Sequence, residues 1–333
     1  MPTTKSGSQS VAVMVVNWNT AALLQDCLKS LESLPENDEL EIVVIDNASS
    51  DDSVEVVREF FPDVKLLENA TNEGFARANN QGVCCSTSPY ILLLNSDTIV
   101  EPGAIANARD YLAAHDDVGA VGCRIINLDG TVQSSVFRDP SLRGVVGVAL
   151  GLSQLFPNSE WMNADRYGRA DPTVPTSVEV IMGSFFMVRR NDFADEDLLD
   201  EGFFMYAEEA DLCRRIRERG QQVHFLPIPG ALHIAGASTR SAAQRAWSDE
   251  AKKRAQLRFI KKWSGLPAAY ITNLVMTIGM VPRVAVWAVA DGLAVLRGGA
   301  HGRLLRARAG RFHLAVIVRP DFIGRRFHGP PVQ

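Results

Sequence analysis

The sequence predicts an α/β fold built on a mixed, mainly parallel sheet. Short apolar, β-branched runs alternate with stretches of helical length along the first part of the chain. Within the runs the apolar residues are consecutive rather than alternate, as in strands covered on both faces. Polar or acidic residues follow each run directly, where parallel sheets bind their ligands.

In order, Val11–Val16 reads as a strand and Ala21–Leu34 as an amphipathic helix. Glu41–Ile45 and Val64–Leu67 are strands separated by a helix over Ser53–Phe61. Gly74–Cys85 is a helix of small residues, and Tyr90–Leu94 a wholly apolar strand. Pro102–His115 is helical with Pro in its opening turn, and Val118–Cys123 is a strand. Such units close through right-handed crossovers. From Asn127 to Pro175 the pattern is irregular, as in a long region over a site. Val178–Arg189 is a strand, Glu208–Arg219 a helix, Gln222–Leu226 a strand and Ser241–Trp263 a helix rich in Lys and Arg.

After Pro267 come two apolar stretches, Ala268–Val281 and Val284–Leu296, split by Pro282-Arg283, with Asp291 in the second. Each is shorter than the ~20 residues that span a bilayer. They form one kinked span or a pair of helices in the membrane interface, their arginines beside anionic lipid. From there Arg297, Arg303, Arg306, Arg308, Arg311, Arg319, Arg325 and Arg326 face one acid, Asp321. This divides the chain into a flexible N-terminus (1–10), an α/β domain (11–240) and a helical, basic and apolar region (241–333).

With 333 residues, 46% hydrophobic and 22% charged, the chain can build a sizeable core. A net charge of -5 argues against nucleic acid as partner. Cys27, Cys84, Cys85, Cys123 and Cys213 are odd in number and form no CxxC, which disfavours disulfides or zinc and suits a reducing compartment. Met1–Ser10 is polar and shows no secretory signal.

The residues after each strand carry the candidate chemistry. Asn17 and Asn19 follow the first. Asp46 ends the second and can bind a base edge or ribose, whereas Ser50 and Asp51 serve equally as helix caps. Asn72 and Asn79 follow the third. Asn95-Ser96-Asp97 follows the fourth; a carboxylate with a polar neighbour there can hold Mg²⁺ or Mn²⁺ while a diphosphate adds oxygens, or simply form a turn. Phe203, Phe204 and Tyr206 form an apolar wall before Glu208, Glu209 and Asp211. Acids suit a first helical turn, and a carboxylate beside that wall is also a candidate general base. Glu209 and Asp211 cannot share a helix face. His233 is a structural histidine or a ligand, with Gly236 and Ser238 behind it for phosphate.

Together these segments resemble glycosyltransferase family 2, in its rhamnosyltransferase-like branch. The resemblance rests on Val15-Val16-Asn17-Trp18-Asn19, Val44-Ile45-Asp46-Asn47-Ala48-Ser49-Ser50-Asp51, Asn72-Glu73-Gly74-Phe75-Ala76, Leu93-Leu94-Asn95-Ser96-Asp97-Thr98, Gly183-Ser184-Phe185-Phe186, Phe204 to Leu212, and His233. Each is weak alone; their order over about Val11 to Ser238 is specific. The resemblance implies a GT-A fold, 11–240 as catalytic domain, a donor nucleobase on Asp46, and a divalent metal on Asp97 and His233. It also implies an acceptor beside Gly183, Ser184, Tyr206 and Glu208. The family's usual Glu-Asp pair is Glu208-Glu209 here, which makes Glu209 the implied base and leaves Asp211 as rival. A dTDP- or UDP-linked sugar donor, rhamnose-like by preference, and a saccharide or polyprenyl-diphosphate-linked acceptor follow. So do an inverting displacement and a peripheral place on the inner face of the cell membrane.

Two other classes remain at this stage. A nucleotidyltransferase would carry a Gly-rich basic loop where Asn17-Trp18-Asn19-Thr20 stands. A non-catalytic homologue would have lost Asp97 or the acids around Glu209, and both are present. A processive synthase is disfavoured, since no QxxRW-like sequence occurs.

Overall fold

A computed structural model describes residues 9–149, 152–156, 159, 172–193, 196–234 and 242–296. Gly236, Ser238 and the arginine-rich segment from Arg297 onward lie outside the described residues. The chain divides into two units, one of Met1–Asp139 with Ala170–Ser238 and one of Pro140–Arg169 with Thr239–Gln333.

In the first unit the apolar runs become the strands β1 (Val11–Asn17), β2 (Leu40–Asp46), β3 (Lys65–Glu68) and β4 (Tyr90–Asn95). They pair in parallel in the order β3-β2-β1-β4. The helices between them are α1 (Ala21–Glu32), α2 (Ser53–Phe60) and α3 (Phe75–Cys84). On α1, Leu24, Cys27, Leu28 and Leu31 are buried, the three- and four-residue steps of one helix face. They join Val13, Val15, Val44, Leu92 and Leu94 in the main core.

The chain continues through β5 (Thr98–Val100), α4 (Ala104–Ala114), β6 (Val118–Ile126), β7 (Val132–Gln133), β8 (Val136–Phe137), β9 (Thr176–Ser177), β10 (Val180–Ile181), β11 (Phe185–Arg189), α7 (Glu208–Glu218) and β12 (Gln222–His233), of which all the strands but β8 and β10 join the same sheet. β11 lies antiparallel between β4 and β6, and β12 runs parallel to β6. The sheet is therefore mixed and mainly parallel, as expected. The carboxyl ends of β1, β2, β4, β6 and β12 share one edge, which gathers Asn17, Asp46, Asn95 and His233.

Several boundaries differ from the sequence reading. Val178–Arg189 is two strands: β10 pairs with β8, β11 joins the main sheet, and Met182-Gly183-Ser184 makes the step between them. β12 runs on to His233 because register shifts at Leu226/Pro229 and Pro229/Ala231 absorb both prolines. β5 follows Asp97 at once and pairs with β12. α4 starts behind Gly103, which is left-handed at φ 77°, so Pro102 precedes the helix.

In the second unit, α5 (Leu142–Ala149) lies in the stretch read as irregular, and α6 (Leu152–Leu155) follows. α5 packs on the long α8 (Ala242–Leu296) around Val145, Leu257 and Met276. α8 breaks at Gly265, whose φ of 87° is non-helical. Among the described residues no helix is long and apolar enough to cross a membrane.

Candidate active site

Asn17 and Asp46 meet where β1 and β2 end. The Asn17 amide donates to Asp46 Oδ1 at 3.0 Å and to Ser49 Oγ at 3.2 Å. Asp46 Oδ2 accepts the Ser49 backbone N–H at 2.8 Å. Asn19 sits at a positive φ of 54°, where its Oδ1 accepts the Ser50 N–H at 2.7 Å. Asp46 thus clamps the loop it begins and is buried. Each carboxylate oxygen keeps further acceptor capacity. Asp51 accepts from the Ser53 and Ala21 N–H groups, so it fastens the starts of α2 and α1.

The turn into α3 is tied to the loop before α7. Asn72 Oδ1 accepts the Gly74 N–H at 3.0 Å. Gly74 has φ 88°, and a Cβ there would stand 2.4 Å from the Phe204 carbonyl oxygen. That oxygen accepts the Phe75 N–H at 2.6 Å. Asn79, wholly buried on α3, donates to the Phe75 carbonyl while its own Oδ1 has no partner.

Thr20 connects the floor to β4: its hydroxyl donates to Asn17 Oδ1 at 2.6 Å and lies 3.1 Å from Ser96 Oγ. Beyond Ser96, Asp97 Oδ1 is 3.0 Å from His233 Nε2. The Asn95 amide nitrogen is 3.3 Å from the same ring nitrogen, and Gln133 Oε1 is 2.9 Å from Nδ1. Residues 136 positions apart are joined because the Ile234 N–H donates to the Asp97 carbonyl at 2.9 Å, extending the β5–β12 pairing.

α7 delivers the acids. Tyr206 and Ala207 are both left-handed, at φ 72° and 62°, a conformation that costs about 1–3 kcal/mol for each non-glycine residue. Asn80 helps hold the preceding loop by pairing with both the N–H and C=O of Leu199, at 3.0 and 2.9 Å. Glu208 is buried and Glu209 half-buried, and Oε2 of each is enclosed without a partner. Burial raises the pKa of both carboxyls, and the neighbouring Glu209 charge raises Glu208 further. Asp211 points elsewhere: wholly buried, it lies 3.2 Å from Arg215 Nε.

Gly183 and Ser184 link the two halves. A Cβ on Gly183 would lie 4.0 Å from Glu209 Cβ and 3.9 Å from the Phe75 ring. The Ser184 carbonyl accepts the Asn95 N–H at 3.4 Å, and its buried hydroxyl has no partner. The structure therefore brings together Asn17, Asn19, Asp46 and Ser96 on one side, Asp97 with His233 next, and Gly183, Ser184, Glu208 and Glu209 beyond. Asn72, Asn79 and Tyr206 shape the loops behind them. Gln133, Asn47 and Asn69 were not singled out from sequence. Asn47 donates to the Gly74 carbonyl and accepts from Asn69. Gln133 and Asn69 lie outside every quoted motif, and Asn47 lies inside one that gave it no role.

Residues 12–196 match the family model "Glycosyl transferase family 2". The chain is 29% identical over 239 residues to N-acetylglucosaminyl-diphospho-decaprenol L-rhamnosyltransferase of Mycobacterium tuberculosis, covering 68% of this chain and 76% of that protein. It is 27% identical over 229 residues to rhamnosyltransferase WbbL of Escherichia coli, covering 66% and 82%. In fold it is similar to the mannosyltransferase PcManGT from Pyrobaculum calidifontis, solved in complex with GDP-Man and Mn2+. The TM-score is 0.52 at 18% identity, over 96% of this chain and 88% of that one. The GT-A fold, the family match and the ordered strand-end residues agree, and the chain belongs to glycosyl transferase family 2, as a nucleotide-sugar-dependent glycosyltransferase.

Proposed function

We propose that the chain moves a sugar, with inversion, from a dTDP- or UDP-linked donor to a hydroxyl of a saccharide or polyprenyl-diphosphate-linked acceptor during cell-surface polysaccharide synthesis. The observation that carries this is the Glu209 carboxylate. It has a raised pKa and an enclosed oxygen without a partner, and it stands opposite Gly183. A raised pKa makes it a stronger base than an exposed carboxylate. Glu209 takes the acceptor's proton, the acceptor oxygen bonds to the anomeric carbon, and the bond from that carbon to the diphosphate oxygen breaks on the opposite face. The electron pair leaves with the diphosphate, and no covalent enzyme intermediate forms. The relatives named as rhamnosyltransferases favour a rhamnose-like donor. Asp46, an acceptor only when ionised, suits the ring N–H shared by uracil and thymine.

Asp97 and His233 are the residues that would hold a divalent cation. Two ligands on adjacent corners of a coordination octahedron with bonds of about 2.1 Å stand about 3.0 Å apart, which matches their separation of 3.0 Å. Among the described residues no group of three or more His, Cys, Asp or Glu side chains gathers at one point. The remaining ligands would be diphosphate oxygens and water. Bound there, Mg²⁺ or Mn²⁺ supplies charge stabilisation to the departing diphosphate.

The membrane surface belongs to the same proposal, with the chain peripheral on the cytoplasmic face. On α8, Tyr270, Leu274, Ile278, Val281, Val289 and Leu293 are exposed at three-, four- and eight-residue steps, one long apolar stripe. Lys252, Lys253, Arg258, Lys261 and Lys262 precede it and the arginine-rich segment follows. Apolar insertion flanked by cations suits an anionic lipid surface.

The test is kinetic. Glu209→Gln should leave donor affinity within a few-fold of the native protein and lower turnover by about 10²–10⁴. Asp211→Asn should lose stability instead. A turnover collapse confined to Asp211→Asn would move the base to Asp211.

A further inference from the structure

We propose that Gln133 is a positioning residue for the Asp97–His233 pair, holding His233 in the tautomer that presents Nε2 to a divalent cation. The inference rests on the metal-dependent reading of the site and assigns a role to a residue outside every motif of the sequence.

Sheet pairing brings the residues together. Gln133 pairs with Ile125 on β6, and Ile125 pairs with Ala231 on β12, two residues before His233. Across this ladder Gln133 Oε1 lies 2.9 Å from His233 Nδ1. An amide oxygen only accepts, so Nδ1 must carry the hydrogen. The amide is steadied at its other end, where Nε2 donates to Met182 Sδ at 3.9 Å. Met182 is itself fixed by its backbone N–H to the Ser135 carbonyl at 2.9 Å.

With the hydrogen on Nδ1, the Nε2 of a neutral ring carries a lone pair. That lone pair faces Asp97 Oδ1 at 3.0 Å, with the Asn95 amide at a longer 3.3 Å. On a neutral ring two acceptors so close repel unless a cation, a proton or a metal ion, lies between them. A histidine that ligates a metal usually donates its other N–H to an acceptor, and that partner sets ring angle and tautomer. Gln133 fills this place with a neutral group, which leaves the charge on the cation to Asp97 and the diphosphate. Because Met182 directly precedes Gly183-Ser184, the same amide also ties the Asp97–His233 side to the segment facing Glu209.

The experiment titrates Mn²⁺, followed by its EPR signal, into the full-length protein saturated with UDP or dTDP. It compares native protein, Gln133→Leu and Gln133→Glu. A second arm records ¹⁵N NMR of histidine-labelled protein, with His233 assigned by its loss in His233→Asn. Gln133→Leu should weaken Mn²⁺ about 10–100-fold with the melting temperature of the nucleotide-free protein unchanged. Gln133→Glu should bind within a few-fold of native. His233 should be the Nδ1–H form in the native protein and mixed in Gln133→Leu. Native-like Mn²⁺ affinity in Gln133→Leu, or an Nε2–H tautomer in the native protein, overturns the role of Gln133. Native protein that binds no Mn²⁺ with either nucleotide overturns the metal reading itself, and the NMR arm still decides the tautomer.

Discussion

A carboxyl buried away from water holds its proton more tightly than an exposed one, and Glu208, with Oε2 enclosed without a partner, does so beside a second acid. The folded state therefore binds this proton more strongly than the unfolded state. Stability from the protonated form is complete below the ordinary carboxylate pKa of about 4.3 and is lost as pH rises through the raised folded value. Glu208→Gln keeps the shape and removes the charge. Its melting temperature should match the native protein near pH 4 and exceed it above neutrality; equal values at every pH would mean that Glu208 is solvated or paired. With Glu209 as the proposed base, the same direction of shift should move the acidic limb of the rate profile above the ordinary carboxylate range. Such stored instability is what a site gives up to hold a reactive group. Asp46 is held differently, its carboxylate accepting from the Asn17 amide and the Ser49 N–H. Position after a strand marked Asp46 in the sequence, and the aromatic wall before a run of acids marked Glu209, but the division between clamp and proposed base depends on contacts with residues distant along the chain. Asp211 illustrates this: its spacing from Glu209 showed that the two diverge, and only the fold shows Arg215 beside it.

At the level of elements, β1, β2 and β4 were legible because strands covered on both faces need unbroken apolar runs. The break at Met182-Gly183-Ser184 was not, since the segment around it is apolar throughout and the turn is made by pairing to different neighbours. β12 was cut short because proline usually ends a strand, whereas here two register shifts carry the strand on to His233. α8 was legible as helix and as apolar, but not as one-sided, because α5 covers part of it from a region that read as irregular. The exposed stripe makes its own prediction. Replacing Leu274 and Ile278 together by Asp should abolish co-sedimentation with vesicles rich in phosphatidylglycerol while leaving nucleotide binding intact. Unchanged sedimentation would assign the stripe to protein contacts, and a change of oligomeric state on substitution would identify a second copy as its partner.

Across the whole molecule, ordering rather than any one motif made the family legible. Asn17, Asp46, Asn95-Ser96-Asp97, Gly183-Ser184, Glu208-Glu209 and His233 are each ordinary in isolation, and the sheet collects them at one edge. The partners that orient them, such as Gln133, Asn80 and Thr20, come from segments without pattern and appear only once strands are paired. The proposed function requires a donor site for a nucleoside diphosphate completed by a divalent metal. Its most direct test is thermal unfolding with UDP, dTDP, GDP, CDP or ADP, each with and without Mn²⁺, on the native protein and on Asp97→Ala. A ligand bound only by the folded state at 100 times its Kd stabilises by about 2.7 kcal/mol. A metal-dependent rise in melting temperature with dTDP or UDP is expected in the native protein, and its loss in Asp97→Ala. No rise with any nucleotide, or an equal rise without metal and in Asp97→Ala, would contradict it.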